Sequence, residues 1–177
     1  MTFPRLIAAS ALAAGTSSAQ PAVEKDSKPT GVPTYEGRDP GDTIEDPFVI
    51  DYLPFYGTGD TCPFINDYDA CCPYTGSTSP DVVYAYEPAA DMCVSISLCN
   101  SFYDTKVFVY EDAWTPGSPV ACNDDNFDCV DPPVDYTSWI EEVELLEGQT
   151  YYIVVDGYGN QCGDYVLEVE EIYCGPE

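Results

Sequence analysis

The segment Met92-Cys93-Val94-Ser95-Ile96-Ser97-Leu98-Cys99 alternates apolar residues with small or polar ones. Side chains of a strand point to opposite faces in turn, so Met92, Val94, Ile96 and Leu98 share one face and Cys93, Ser95 and Ser97 the other, as in a strand with one buried face. Short apolar-aromatic runs flank it at 48–53, 81–87, 106–111, 142–146, 150–156 and 165–172, separated by Gly, Pro, Asn and Asp. In the run at 106–111, Val107 and Val109 oppose Phe108 and Tyr110. No stretch sustains a helical period. Seven or eight short strands with turn signals between them predict an all-β chain, a single β-sandwich or jelly roll over residues 41–173.

Outside that span the texture changes. Arg5, an apolar run of small residues at 6–15 and Ser17-Ser18-Ala19 read as an export signal of bacterial type over residues 1–19, so the expected location is extracellular or at the cell surface. The run is too short for a membrane anchor, and membrane insertion is not expected. Residues 20–40, with Pro21, Pro29, Gly31, Pro33 and Pro40, read as a flexible linker, and residues 174–177 as a C-terminal tail.

The chain has nine cysteines and no histidine. In an oxidising compartment the cysteines are expected to staple the sandwich as disulfides. Cys93 and Cys99 lie about 20 Å apart on one extended strand and cannot bridge each other; Cys162 and Cys174 are separated in the same way. Feasible pairings are Cys122 with Cys129, and Cys62 with Cys71 or Cys72. Nine is odd, so one thiol is left free or joins another molecule, which allows a disulfide-linked homo-oligomer.

Composition removes several functions. The formal charge is −27, and Lys25, Lys28, Arg38 and Lys106 are the basic residues beyond the signal, which makes nucleic acid and anionic lipid poor partners. Without histidine there is no Ser-His-acid or Cys-His nucleophile. Paired carboxylates remain, but thirty-two acids guarantee accidental pairs, and a glycosidase needs two of them in different environments across a cleft. The chain is therefore not expected to be an enzyme.

Several segments resemble the secreted pre-peptidase C-terminal (PPC) type of domain, a CUB-like β-sandwich. They are Ser79-Pro80-Asp81-Val82-Val83-Tyr84, the stretch Leu98-Cys99-Asn100-Ser101-Phe102-Tyr103-Asp104-Thr105-Lys106-Val107, Ala121-Cys122-Asn123-Asp124-Asp125, residues 148–157 and Gly163-Asp164-Tyr165-Val166-Leu167. The resemblance covers roughly residues 41–172. It implies a module that accompanies a catalytic domain and aids secretion, substrate contact or surface attachment. About 130 folded residues leave no room for that catalytic domain, so a free-standing module is expected.

Asn123, Asp124, Asp125, Asn126 and Asp128 cluster hard oxygen donors of the kind calcium takes six to eight of. From Asp124 the spacing Asp-x-Asn-x-Asp, with Asp135 twelfth, half matches a calcium loop, although Cys129 stands where that loop has glycine. The alternative is an Asx-turn loop whose side chains cap their own backbone. The resemblance places Asp104 at a strand-end connection near this loop, where it either completes a site or caps a turn. A second acidic loop holds Asp60, Asn66, Asp67 and Asp69. Among fifteen tyrosines, two tryptophans and seven phenylalanines, Trp114, Trp139 and Tyr158 fall in or near loops and are the candidates for contact with a ligand. The expected function is that of a secreted non-catalytic module, stabilised by calcium, contacting extracellular polysaccharide, protein or a cell surface. The competing class is a structural or adhesive surface protein that self-associates.

Overall fold

The computed structural model describes residues 40–70, 76–113 and 118–175, within one compact unit, Glu36–Glu177. Among them are nine strands: β1 (Phe48–Val49), β2 (Phe55–Asp60), β3 (Val82–Tyr86), β4 (Met92–Ser97), β5 (Thr105–Glu111), β6 (Ala121–Asn123), β7 (Trp139–Leu145), β8 (Tyr151–Gly157) and β9 (Asp164–Ile172). They form two sheets, β1-β3-β8-β5-β6 and β2-β9-β4-β7. All pairings are antiparallel except β1 with β3. The fold is an all-β sandwich, as the alternation at 92–99 implies.

Val94, Ile96 and Leu98 meet Val107, Val109, Ile153 and Val155 of the opposite sheet in the main core. Their neighbours Phe108, Tyr110, Val83 and Val154, on the outer face of the five-stranded sheet, are equally buried in a second cluster with Tyr68 and Ala70. The loop after β2 covers that face, which explains why β5 is apolar on both sides.

Three strands differ from the sequence expectation: β1 is shorter than its run, and β2 and the three-residue β6 fall outside the expected runs. The run at 48–53 is a strand only at Phe48–Val49, with Ile50 N donating to Ala85 O as the last bond of the ladder. β2, which the sequence reading missed, is hidden by its glycines. A Cβ on Gly59 would stand 2.6 Å from the Tyr165 hydroxyl, and one on Gly57 2.8 Å from the Phe55 ring. The missing side chains make room for Tyr84 and Tyr165, whose hydroxyls hydrogen-bond at 2.7 Å. Gly59→Val is expected to destabilise by about 1–3 kcal/mol through overpacking, seen as a lower urea midpoint. Thr58→Val, on the exposed side of the same strand, should stay within about 0.5 kcal/mol of the parent.

The cysteines pair across the fold rather than within loops: Cys62 with Cys162, Cys93 with Cys174 and Cys99 with Cys129. These bonds replace the expected Cys122–Cys129 pair and the pairing of Cys62 with Cys71 or Cys72. Cys122 is also disulfide-bonded, while Cys71 and Cys72 lie outside the described residues. Cys174, assigned from sequence to the tail, is fastened to β4. Residues 1–39 are outside the described residues, and with them the signal and the linker.

Candidate metal centre

Asp104 precedes β5, and Asp124 and Asp125 follow β6, the strand that pairs with β5. Because these strands are neighbours, the two connections open at the same edge of the sheet. They bring the three carboxylates together, with one oxygen of each inside a mutual 4.8 Å. An open cavity of about 310 Å³ lies over them, lined also by Tyr136 and Tyr158. Asp124 is only 4% exposed, and neither its Oδ1 nor Oδ1 of Asp104 has a hydrogen-bond donor. Asp104 Oδ2 accepts from Gln161 Nε2 at 3.2 Å.

Burial pushes the Asp104 carboxyl up to about 6, the Asp125 charge adding to it while Gln161 and Lys106 oppose. Burial likewise lifts Asp124 to about 6 against the pull of Lys106, with Asp125 and Asp104 adding repulsion, and it raises Asp125. Three hard oxygen donors that resist ionisation together suit a divalent cation, whose charge reverses that preference.

The other sequence candidates have different work. Asn123 Oδ1 accepts from Trp139 N at 3.0 Å and its Nδ2 donates to Asp125 O. Asn126 Oδ1 accepts from Asp128 N at 2.8 Å, while its Nδ2 donates to Trp139 O and Glu141 Oε1. The bonds of Asn126 to Asp128 and of Asn123 to Asp125 are local Asx-type caps and the others tie the loop to β7, so both asparagine oxygens are engaged by backbone N–H groups, and the carboxylates that converge are Asp104, Asp124 and Asp125. Asp135 lines a separate cavity with Asn126 and Tyr136. The linear loop pattern therefore does not form, and the carboxylates converge from two connections instead. In the second acidic loop, Asp60 Oδ1 caps Cys62 N and Asp69 Oδ2 accepts from Gly76 N. Of the aromatic candidates, Tyr158 borders the carboxylate cavity, Trp139 is half-buried on β7, and Trp114 lies outside the described residues.

A buried polar row beside this centre escaped the sequence reading. Lys106 pairs with Asp156 across β5 and β8. The register one step beyond Val82↔Val155 sets Asp81 beside Asp156, and one step beyond Val107↔Asn123 sets Asp124 beside Lys106. Asp81, Asp156 and Lys106 are 0%, 0% and 1% exposed. Lys106 Nζ lies 4.0 Å from Asp69 Oδ1 and 5.2 Å from the Phe108 ring centre. Burial raises Asp81 to about 8, even though its Oδ2 accepts the amides of Asp67 and Tyr68, and it raises Asp156 well above the ordinary carboxylate value, with Asp81 adding repulsion and the Gly157 amide and Lys106 opposing. The signal was present in the sequence as charged residues two positions from Val83, Phe108 and Val154, on the same strand face.

No family model matches the sequence, and none of the curated proteins does. Among solved structures the chain is similar to the pre-peptidase C-terminal domain of a collagenase from Bacillus anthracis, with 18% identity and a TM-score of 0.48, over 70% of this chain and 93% of that one.

Proposed function

We propose that the chain is an exported, non-catalytic β-sandwich module that holds calcium at Asp104, Asp124 and Asp125 and contacts an extracellular polysaccharide, protein or cell surface. The observation that supports calcium is Asp124: a carboxylate almost wholly removed from water, with one oxygen facing no donor and two further carboxylates alongside. A buried carboxylate of this kind ionises readily only when a cation offsets its charge, and Lys106 offsets it incompletely. Several disulfides fit an exported chain.

Thermal melting of the oxidised protein with calcium or with chelator, at fixed ionic strength, tests the metal. Calcium at a hundred times its dissociation constant adds about 2.7 kcal/mol, a rise of several degrees for a domain of this size. Asp124→Asn should abolish the rise. Because Asp104 and Asp124 sit near 6 without metal, protons compete with calcium, and the rise should shrink as the pH falls below that value. An unmoved midpoint at pH 7 would leave the cluster as turn chemistry only.

A further inference from the structure

The outer face of the four-stranded sheet carries a groove of about 310 Å³, away from the carboxylate centre. Its floor is Ser95 and Ser97 of β4. Trp139 of β7, paired with Ser97, forms one wall, and Glu168 and Glu170 of β9, paired with Ser97 and Ser95, form the other. Asp128 and the Cys99–Cys129 disulfide close one end. The small serines between tall walls make the depression. Trp139 sits in the row of Ser97, yet its Nε1 donates to Ser95 Oγ at 2.7 Å, so the indole of this wall reaches back along β4 and is anchored there. Among the described residues, no lysine or arginine lines the groove.

We infer that this groove takes the guanidinium of an arginine on a basic segment of a partner protein. The inference rests on reading the chain as an extracellular contact module, and it invokes no calcium. Three carboxylates around an anchored indole complement a planar cation that stacks on the ring while its in-plane N–H donors reach acids on more than one side. A lysine ammonium is a compact, more strongly hydrated point charge, and a protonated amino sugar likewise presents single ammonium groups. The field of a chain with charge −27 draws such a basic segment toward it.

Calorimetric titration of the intact oxidised protein with a hexa-arginine peptide at about 0.15 M salt, where the screening length is about 8 Å, tests the groove. The double variant Glu168→Gln/Glu170→Gln is expected to lose at least about tenfold in affinity, since hydrogen bonds to charged groups are the strong ones. Trp139→Phe should lose about two- to fivefold, the scale of an exposed cation–π contact. A charge-matched double variant remote from the groove, Glu87→Gln/Glu147→Gln, should change affinity by less than about threefold, because only screened attraction is lost. Equal losses in the two double variants would reduce the effect to general attraction and overturn the site. So would absence of binding, or equally tight and equally Glu168/Glu170-dependent binding of hexa-lysine or a chitosan hexamer. Running each titration with calcium and with chelator separates the two readings: binding without a calcium-dependent melt leaves the groove standing and removes the metal, and the converse removes the groove.

Discussion

Raising the pH from 4 to 9 in chelator is expected to destabilise the protein steeply, opposite to the usual acid-labile behaviour of proteins whose carboxylates are paired in the native state. Asp81 is held at about 8 in the fold against an ordinary value of 3.8. Between those values the native state keeps a proton that the unfolded chain has released, so stability falls by about 1.4 kcal/mol for each pH unit per such group. The contribution is intact below the unfolded value and is lost as the pH climbs toward the folded one. Asp156 is raised in the same direction, burial outweighing the pull of Lys106, the cation in their row. Chemical denaturation at a series of pH values reads the slope. Asp81→Asn keeps an acceptor for the Asp67 and Tyr68 amides and cannot ionise. It should flatten the slope by one group's worth, leaving stability near pH 4 little changed and raising it markedly at pH 8. An unchanged slope in that variant would show that Asp81 is ionised in the native protein at neutral pH. Asp81→Ala, which abandons both amides, should be weaker than Asp81→Asn throughout.

What the sequence disclosed follows from which interactions are local. The alternation at 92–99 depends on the strand period alone, so β4 and the all-β class were legible in it. β2 was not: two of its three inward positions are Gly57 and Gly59, and the apolar mass that fills them belongs to Phe55, Tyr84 and Tyr165. Asp124 and Asp125 were visible as a run of acids, and Asp104 only through a resemblance that placed it at a neighbouring connection; the pairing of β5 with β6 brings them together. Asn123 and Asn126 carry the same hard oxygen, but both are consumed by backbone groups of their own loop and of β7, a competition that spacing does not reveal. The disulfides were least legible, because Cys62 and Cys162 meet through a strand pairing between residues 100 positions apart.

Those disulfides carry the second large effect. Cys62→Ser/Cys162→Ser opens a link spanning 100 residues, worth about 4.7 kcal/mol in chain entropy, and should lower the melting midpoint by roughly 10–20 °C for a domain of this size. Cys99→Ser/Cys129→Ser opens a link spanning 30 residues and on entropy alone should cost less. Its position gives it a second consequence. Cys99 stands five residues before Asp104 and Cys129 four residues after Asp125, so this bond joins the two connections whose convergence makes the carboxylate centre. Loss of the Cys62–Cys162 bond should leave the rise in midpoint with saturating calcium intact on a lower baseline. Loss of the Cys99–Cys129 bond should weaken calcium binding itself, so that more metal is needed for the same rise. Equal calcium titrations in the two variants would mean that the pairing of β5 with β6 alone holds the centre together and that this disulfide serves only the stability of the sandwich.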